Sequence, residues 1–414
     1  MTPEVKDRIE QIRHGNVPEG YKHSAAGIIP EDWEIHAVSE HLVESYIPGS
    51  TGDVAKKITV KLWNKGVIEK KEVHAGSENT KYFKRRAGQF IYSKLDFLNC
   101  AFGIIPKELD GHESTLDLPA FDISDIEPYY LLAQVTQRRF YERWGVMVAN
   151  GGRKARRISP EDFLTFPLAF PCLEEQKKIA EILATQDKVI ELKEKQLVEK
   201  QRQKKYMMQQ LLTGKKRLPG FDGEWKKTPL KKLLKERKTY SPKGAEYPHV
   251  TLSTEGIYAK SDRYDRDHLV KDEEKEYKIT LKGDICYNPA NLKFGVICIN
   301  NFGDAIFSPI YVTFEVVGNV SSSFLSNYLM RWDFINAVRK YEEGTVYERM
   351  AVKPEDFLKF EMMLPSYEEQ VAIAEILSAT DREIDLLRQD IEQEKQKKKA
   401  LMQLLLTGIV RVNE

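Results

Sequence analysis

The chain has 414 residues, of which 41% are hydrophobic and 31% charged, with a net charge of +1 and a pI near 7.6. This length is too great for one comfortable core and favours two or three domains, and the composition is that of an ordered globular protein. The balanced charge excludes a protein that coats nucleic acid through bulk electrostatics. Any contact with DNA must therefore come from local basic patches.

Two further features narrow the class of protein. The sequence has no N-terminal secretion signal and no apolar run near the roughly 20 residues that cross a bilayer, so we expect a cytoplasmic protein without a membrane contact. The four cysteines, Cys100, Cys172, Cys286 and Cys298, show no CxxC spacing and no clustered histidines. We interpret them as reduced structural residues rather than as a zinc site or a disulfide framework.

The N-terminal segment, residues 1–26, resembles a segment in the middle of the chain. Ile-Arg-His-Gly-Asn-Val-Pro-Glu-Gly-Tyr at 12–21 is similar to Leu-Leu-Thr-Gly-Lys-Lys-Arg-Leu-Pro-Gly-Phe at 211–221. Trp33, which follows Pro-Glu-Asp, is similar to Trp225. We predict that residues 1–26 are a helical segment that completes a circular repeat, which would bring the two ends of the chain together.

Two regions, 27–170 and 216–364, differ in sequence but share a skeleton. Short runs of Val, Ile, Tyr and Phe between turn residues predict a twisted, mostly antiparallel sheet in each region. A helix is predicted to follow, at 128–143 in the first region and at 323–340 in the second. We predict two α+β domains of one fold with divergent surfaces; a duplicated enzyme is the alternative.

Two pairs of short motifs support a common skeleton. Ala-Gly-Gln-Phe-Ile-Tyr at 87–92 parallels Lys-Gly-Asp-Ile-Cys-Tyr at 282–287, each a glycine turn that leads into a strand. Phe-Gly-Ile-Ile at 102–105 similarly parallels Phe-Gly-Val-Ile at 294–297. We expect these motifs to occupy equivalent places in the two sheets.

Two basic segments of the first domain are candidates for DNA contact. In the loop at 150–157, glycines allow close backbone approach, and cations can bridge phosphates or pair with guanine. Its candidate residues are Gly151, Gly152, Arg153, Lys154, Arg156 and Arg157. Lys84, Arg85 and Arg86 form the second candidate patch. A solvated loop and a charged strand edge are the respective alternatives.

The second domain has different candidates. Tyr287, Asn288, Asn291 and Lys293 are predicted to contact DNA, since amides can pair with adenine and lysine with guanine or phosphate. The segment 344–350 lies where the first domain has its basic loop but is much less basic, and Arg349 is its candidate contact.

The strongest signal is a repeat at a constant separation of 194 residues. Four motifs recur at this separation without a gap: Pro-Glu-Asp-Phe-Leu at 160 and 354, Glu-Gln at 175 and 369, Ala-Glu-Ile-Leu at 180 and 374, and Leu-Leu-Thr-Gly at 211 and 405. Each copy predicts a long helix, within 171–215 and 365–414, that begins after a proline and ends before a glycine. Each would be about 40 residues long.

Apolar residues recur at heptad spacing in both long helices: Leu183, Ile190, Leu197 and Leu211 in the first, and Leu377, Ile384, Ile391 and Leu405 in the second. A charged helix of this length needs a partner along its apolar stripe. We predict that each copy is the partner of the other, in an antiparallel coiled coil that joins two similar α+β domains with a pseudo-two-fold relation. A helix packed only on its own domain is the alternative.

No catalytic or metal site is indicated. Gly-Lys-Lys at 214–216 lacks the spaced glycine and the hydroxyl residue of a Walker loop. Asn-Pro-Ala-Asn at 288–291 lacks the second proline and the aromatic residue of the amino-methyltransferase motif, and we interpret it as a polar turn. Glu276-Tyr277-Lys278 with upstream Asp262 or Asp265 has the residue types of a metal-dependent nuclease site, as many segments of a charge-rich chain do.

Several of these motifs together resemble the specificity subunits of type I restriction-modification systems. They are Val-Pro-Glu-Gly-Tyr-Lys at 17–22, Ile-Pro-Glu-Asp-Trp at 29–33, the two Glu-Glu-Gln helix starts and the two Leu-Leu-Thr-Gly helix ends. The resemblance covers essentially the whole chain. It implies that the variable halves are target-recognition domains, each reading half of a split DNA site. The helices would space these domains and dock two adenine methyltransferase subunits.

The resemblance also implies partners and cofactors. Double-stranded DNA, two methyltransferase subunits and ATP-dependent restriction subunits would be the partners. This chain would bind no cofactor and be non-catalytic, while S-adenosylmethionine, ATP and Mg²⁺ would bind to the partner subunits. The assembled complex would be a site-specific endonuclease and an adenine-N6 methyltransferase. A coiled-coil scaffold that binds only proteins and a subunit of a related restriction system with other catalytic partners are the alternatives.

Overall fold

The computed structural model describes residues 2–71, 76–148, 156–242, 246–260, 276–343 and 351–412. The chain divides into two compact units: unit 1 contains Met1–Lys193 and Asp390–Glu414, and unit 2 contains Glu194–Gln389. Both divisions fall inside long helices, so the domain borders expected from the sequence stay a prediction. Within the described ranges, no helix combines the length and apolarity needed to cross a membrane.

Unit 1 is built from short strands and helices followed by a long helix. Its strands are β1 (Tyr21–Ser24), β2 (Gly27–Pro30), β3 (Glu34–Ala37), β4 (Leu42–Glu44), β5 (Pro48–Thr51), β6 (Ile58–Val60), β7 (Val67–Glu69), β8 (Lys81–Lys84), β9 (Phe90–Tyr92), β10 (Phe102–Ile104), β11 (Glu113–Ser114), β12 (Ala120–Ile123) and β13 (Pro167–Phe170). Its helices are α1 (Pro3–Arg13), α2 (Pro128–Val135), α3 (Arg138–Val148), α4 (Pro160–Leu164) and the first part of α5 (Leu173–Leu211).

Unit 2 repeats the order that unit 1 has from β3 onward, with two short strands, Glu342–Glu343 and Ala351–Val352, added. Its strands are β14 (Lys226–Pro229), β15 (Leu234–Glu236), β16 (Tyr240–Pro242), β17 (Val250–Ser253), β18 (Gly256–Ala259), β19 (Glu276–Thr280), β20 (Ile285–Tyr287), β21 (Ile297–Ile299), β22 (Ala305–Phe307), β23 (Val312–Val316), β24 (Glu342–Glu343), β25 (Ala351–Val352) and β26 (Glu361–Leu364). Its helices are α6 (Ser322–Leu329), α7 (Trp332–Val338), α8 (Pro354–Lys359) and the first part of α9 (Tyr367–Leu405).

Three sheets of the same strand order recur in the two units. A four-stranded antiparallel sheet has the order β10-β9-β12-β4 in unit 1 and β21-β20-β23-β15 in unit 2. A three-stranded sheet (β11-β8-β5 and β22-β19-β16) and a separate hairpin (β6-β7 and β17-β18) accompany it. The prediction of two similar α+β domains is confirmed.

One predicted equivalence within these sheets is displaced. The motifs at 87–92 and 282–287 do lead into β9 and β20 as expected. Phe102, however, pairs with Tyr92, while the residue that pairs with Tyr287 is Ile297. The alignment of 102–105 with 294–297 is therefore wrong by three residues, because Phe294 ends a 3₁₀ helix and β21 begins only after the left-handed turn at Gly295.

The single helix predicted at 128–143 is two helices, α2 and α3, and the one predicted at 323–340 is α6 and α7. In each unit, an arginine at or near the break between the two short helices reaches the end of a long helix. Arg139 in α3 donates to the carbonyl of Leu406, and Arg331, which precedes α7, donates to that of Leu212. These carbonyls have no partner inside their own helices, so the arginines satisfy them.

The two long helices match the prediction in length and orientation. Helices α5 and α9 each have 39 residues and begin 194 residues apart. Within unit 1, Gln186 donates to Glu394 and Asp187 pairs with Lys398. Within unit 2, Lys200 pairs with Glu383 and Lys204 with Asp381. Residues later in the sequence of α5 pair with residues earlier in the sequence of α9. The two helices therefore pack antiparallel.

The predicted heptad positions form the buried seam of this pair. Seven of the eight are buried, namely Leu183, Ile190, Leu211, Leu377, Ile384, Ile391 and Leu405, and Leu197 is half-buried. Burial of one such side chain contributes about 1.5–3 kcal/mol. Polar contacts interrupt the seam, as Lys193 reaches Asp390 at 2.7 Å and Glu394 at 2.9 Å. These contacts fix the register of the two helices.

Each domain core contains the beginning of one long helix and the end of the other. In unit 1, Ile179 and Leu183 of α5 pack in the same core as Leu405 of α9 and Leu406. In unit 2, Ile373 and Leu377 of α9 pack with Leu211 of α5 and Leu212. The long helices are thus structural parts of both domains.

A buried ion pair locks each helix beginning to the end of the other helix. Glu175 and Glu369 lie in the first turns of α5 and α9 and are 0% and 1% exposed. Arg411, beyond the end of α9, donates twice to Glu175, both at 2.9 Å. Arg217, beyond the end of α5, donates to Glu369 at 2.7 and 2.8 Å. We call these pairs the two clamps. A carboxylate this deeply buried would be costly without its guanidinium partner.

The glutamine that follows each clamp carboxylate ties the long helix to its domain. Gln176 donates to the carbonyl of Pro171 and accepts from the backbone NH of Glu127, which caps α2. Gln370 makes the same contacts with Pro365 and Ser321, which caps α6. The repeated Glu-Gln motif therefore has one structural role in both units.

Trp33, which follows the N-terminal segment, has the same kind of neighbour as Trp225, namely the glycine that follows a long helix. A Cβ on Gly408 would lie 3.1 Å from the Trp33 ring, and one on Gly214 would lie 3.4 Å from the Trp225 ring. No atom lies within 4 Å of such a Cβ on Gly15. The equivalence of Trp33 and Trp225 is confirmed, whereas the alignment of Gly15 with Gly214 is wrong, because Gly408 occupies that place.

The clamps should contribute strongly to stability. We expect Arg217→Ala to lower the free energy of unfolding by about 1–3 kcal/mol, because Glu369 stays buried with only the Trp225 indole NH, at 3.1 Å, as its remaining side-chain donor in the described part of the chain. Lys227→Ala, which removes an exposed pair with Glu361, is the control and should cost less than about 1 kcal/mol. Urea unfolding followed by circular dichroism measures both. Equal losses would contradict a special role for the clamp.

Candidate nucleic-acid interface

The residues that follow the basic loop of the first domain attach to β9, a central strand of the four-stranded sheet. Residues 149–155 lie outside the described residues, and with them the candidates Gly151, Gly152, Arg153 and Lys154. Where the description resumes, Arg156 and Arg157 are exposed, and the Arg157 guanidinium lies 3.6 Å from Asp117. Arg156 and Arg157 stay predicted contacts at an exposed position.

The loop of the second domain is attached at the equivalent point. In unit 1 the backbone carbonyl of Ile158 accepts a hydrogen bond from the hydroxyl of Tyr92 at 3.2 Å. In unit 2 the carbonyl of Val352 accepts from Tyr287 at 3.0 Å. Residues 344–350, including the candidate Arg349, lie outside the described residues. The two variable loops therefore end at the same point of a shared scaffold.

Buried aromatic residues hold this point in place. Tyr92 packs against Phe163 at a ring distance of 5.1 Å, and Tyr287 packs against Phe357 at 4.9 Å. Both phenylalanines belong to the repeated Pro-Glu-Asp-Phe motif of α4 and α8. Because burial raises the pKa of both tyrosine hydroxyls, these remain neutral donors. The motif therefore positions the base of each variable loop.

Two predicted contacts of the second domain are wrong. Tyr287 is fully buried and its hydroxyl is used by Val352, so it cannot reach DNA. Asn288 is also buried, and its side-chain oxygen accepts from the backbone NH groups of Ala290 and Asn291. The segment at 288–291 is the polar turn expected from the sequence. Tyr287 is the last residue of β20, a central strand of the sheet, and its ring is part of the hydrophobic core of unit 2.

The other two candidates of this segment are accessible. Asn291 and Lys293 are half-buried, and the Lys293 ammonium lies 5.2 Å from the centre of the Phe294 ring. Both stay predicted DNA contacts.

The patch at 84–86 divides into exposed and buried residues. Lys84 and Arg86 are exposed, whereas Arg85 is 1% exposed. Successive side chains of an extended segment point to opposite sides, so the middle cation faces inward. Arg85 donates to the hydroxyl of Ser114 at 2.7 Å and to the carbonyls of Ser45 at 2.8 Å and Leu118 at 3.2 Å.

Arg85 is therefore a structural residue, and its prediction as a phosphate contact is wrong. Burial lowers its pKa to about 10, which still leaves it charged at neutral pH. Lys84 and Arg86 stay predicted contacts. The inward position of Arg85 could have been inferred from strand alternation if the strand had been placed correctly in the sequence.

The described residues contain no group of three or more His, Cys, Asp or Glu side chains that could hold a metal ion. Lys278, considered with Glu276 as a nuclease residue, is buried and pairs with Glu236 at 2.8 Å. The two aspartates considered for that set, Asp262 and Asp265, lie outside the described residues.

A basic hairpin of the first domain was not predicted from the sequence. The tip of β6-β7 carries Lys61, Trp63 and Lys65, and Trp63 is 58% exposed. The sequence feature that could have indicated it is a tryptophan between two lysines, in a turn that is longer than the equivalent turn of unit 2. That comparison requires the two hairpins to be known as equivalent.

Comparison with known proteins identifies a family. The sequence model described as "Type I restriction modification DNA specificity domain" matches residues 115–200 and 223–396, which together make up more than half of the chain. A Methanocaldococcus jannaschii protein described as the specificity subunit of type I restriction enzyme MjaX is 25% identical over 434 aligned positions, covering 95% of this chain and 97% of its own.

Solved structures show the same fold. A chain from a structure concerned with complex assembly and conformational transition of the type I R-M system has a TM-score of 0.56 and 15% identity, covering 92% of this chain and 99% of its own. The type I restriction-modification S subunit from M. genitalium has a TM-score of 0.51 and 11% identity, covering 90% and 96%.

The contrast between Arg85 and Arg86 gives a direct test of the corrected assignment. We expect Arg85→Ala to lower the free energy of unfolding by about 1–3 kcal/mol, since the Ser45 carbonyl and the Ser114 hydroxyl lose their arginine donor. The Leu118 carbonyl still accepts from Ser114. Arg86→Ala removes an exposed side chain and should change stability by less than about 0.5 kcal/mol. Chemical denaturation of the two variants measures the difference. A stable Arg85→Ala protein would make this residue a surface candidate again.

Proposed function

Because the chain belongs to the type I restriction modification DNA specificity family, we propose that its two domains each read one half of a bipartite DNA target. The long helices would act as the spacer between the half-sites and as the docking surface for two adenine methyltransferase subunits. Specificity subunits are themselves non-catalytic, so the chemistry would be supplied by the partners.

One observation carries the proposal of two half-sites. The two domains share the sheet order, the tyrosine anchors and the clamps, yet the segments that precede the repeated Pro-Glu-Asp-Phe motifs differ in charge. The loop at 150–157 has four cations, whereas 344–350 has one. A common scaffold with different exposed loops suits two domains that bind different base sequences, because base edges are read by the side chains that reach the groove.

The proposed partners follow from the same reasoning. Restriction subunits would add to the methyltransferase complex and give it ATP-dependent endonuclease activity. S-adenosylmethionine, ATP and Mg²⁺ would bind to those partners rather than to this chain, and the complex would act in the cytoplasm. Any phosphate and base contacts would come from exposed residues such as Arg86, Arg156 and Arg157, and from the half-buried Lys293.

The long helices offer equivalent apolar positions for two copies of one partner. Leu192 in α5 and Leu386 in α9 are 194 residues apart, and their side chains are 53% and 63% exposed. Leu192 belongs to unit 1 and Leu386 to unit 2. A large apolar side chain kept at the same exposed helix position in both copies supports docking of the same partner at each.

Replacement of one domain tests the assignment of half-sites. When residues 27–170 are exchanged for the matching segment of a relative with another target, we expect one half of the methylated motif to change and the other half to remain. Genome-wide mapping of methyladenine in cells that express the chain with its partners gives the result. The reciprocal exchange of 216–364 is the control and should change only the other half. A change in both halves after a single exchange would contradict independent reading.

The two exposed leucines test the docking surface. We expect Leu192→Asp and Leu386→Asp each to weaken binding of one methyltransferase subunit about 10- to 100-fold, since an apolar contact of about 1.5–3 kcal/mol is lost. The double variant should bind neither subunit firmly. Leu116→Asp, which changes an exposed loop leucine, is the control. Sedimentation of the purified complexes gives the stoichiometry, and unchanged stoichiometry in the double variant would place the docking surface elsewhere.

A further inference from the structure

The two domains differ in the length of one hairpin. Strands β6 and β17 begin at equivalent positions, because the residue before each, Lys57 and His249, forms a parallel bridge to the three-stranded sheet. The turn between β17 and β18 consists of Thr254 and Glu255, whereas the turn between β6 and β7 spans residues 61–66. The common scaffold does not require these additional residues. We call residues 58–69 the tryptophan hairpin.

The tip of the tryptophan hairpin combines cations with a large exposed aromatic side chain. Residues 56–71 contain six lysines and one glutamate, although the net charge of the whole chain is only +1. Among these lysines, Lys61 and Lys65 are exposed on either side of Trp63, whose ring is 58% exposed. An aromatic or apolar side chain between cations is a common way for proteins to contact nucleic acid, since the cations bind phosphates while the ring meets bases or sugars.

The backbone presents Trp63 in a fixed conformation. Trp63 and Asn64 have φ angles of 60° and 52°, in the left-handed region that side chains other than glycine seldom adopt. Their NH groups donate to the carbonyls of Asn99 at 2.9 Å and Cys100 at 2.8 Å. These bonds dock the tip on the 3₁₀ turn beside β10. The domain thus holds an exposed tryptophan in an unfavourable conformation, which is typical of functional sites.

We propose that the tryptophan hairpin is a DNA contact of the first domain, in which Lys61 and Lys65 bind backbone phosphates and Trp63 packs against a base or deoxyribose in a groove. This inference rests on the proposed function. The contact belongs to the half-site that the first domain reads, because the equivalent hairpin of unit 2 has a two-residue turn with an acidic residue.

The distribution of the hairpin favours DNA over a protein partner. Trp63 also lines a cavity of about 270 Å³ together with Tyr129, Leu132 and Met402, so it could in principle contact a docked subunit. Two copies of one subunit, however, would need equivalent surfaces on both units. The two domains would have to differ in the residues that recognise DNA, because each reads a different half-site. The tryptophan hairpin of the first domain is such a difference.

The test compares variants of the full chain together with the subunits that co-purify with it. The probes are a duplex carrying the mapped methylation motif and two duplexes with either half-site scrambled. We expect Trp63→Ala to weaken binding to the intact motif about 10- to 100-fold, with Trp63→Phe close to the wild type, because a smaller ring keeps the contact. When the half-site of the first domain is scrambled, Trp63→Ala should cause no further loss.

The lysines have their own expected result. The Lys61→Ala, Lys65→Ala double variant should reduce the slope of log K against log salt concentration by about 1.8, as the loss of two phosphate contacts requires. An unchanged slope would overturn the role of the lysines. Thermal unfolding of each variant shows that the domain remains folded.

Tyr129→Ala is the matched control, since Tyr129 is exposed to the same 58% and lines the same cavity. We expect it to leave DNA binding unchanged.

If Trp63→Ala and Tyr129→Ala both released a methyltransferase subunit and neither changed DNA affinity, the cavity would be a protein-docking site and the inference would be wrong. Normal DNA binding by Trp63→Ala would also overturn it without affecting the proposed function. Absence of specific binding by the wild-type complex would instead contradict the proposed function itself.

Discussion

The buried carboxylates of Glu175 and Glu369 constrain the fold more than any other pair of side chains. A carboxylate out of reach of water needs a cation and several donors, and in both units that cation follows the end of the opposite long helix. The pairing therefore requires the beginning of one helix to meet the end of the other. The antiparallel seam, the mixed composition of the two cores and the capping of Leu212 and Leu406 by arginines all agree with this one requirement.

In each domain, the contacts that hold the scaffold together involve different residues from those of the variable segments. The scaffold is fixed by contacts that occur at the same offset in both halves, including the glutamine ties and the tyrosine–phenylalanine stacks at the base of the variable loops. The exposed segments are attached to it at a few points. The buried cations of the two units also have different partners, since Arg85 donates to Ser114, Ser45 and Leu118 whereas Lys278 pairs with Glu236. The loops can therefore change while the loop anchors remain.

Periodic and repeated features could be predicted from the sequence, and single side chains often could not. The 194-residue repeat predicted the length of α5 and α9, because a heptad pattern sustained over 39 residues is typical of a long helix packed against a second one. The inward position of Arg85 depends on strand alternation, which a short run of cations does not reveal. The clamps were missed because Arg411 and Glu175 are distant in sequence and belong to different copies of the repeat. Trp63 was missed because it was singled out by the longer turn of its hairpin compared with that of β17-β18. Only the structure shows that these two hairpins are equivalent.

The mixed cores have a consequence for synthesis on the ribosome. The core of unit 2 draws its residues from one continuous stretch, Glu194–Gln389, and can assemble as soon as that stretch has emerged. The core of unit 1 lacks Leu405 and Leu406 until almost the whole chain has been translated, although most of its residues are made first. The N-terminal domain is therefore the last to complete its hydrophobic core, and the nascent first domain must stay incomplete while the second one folds.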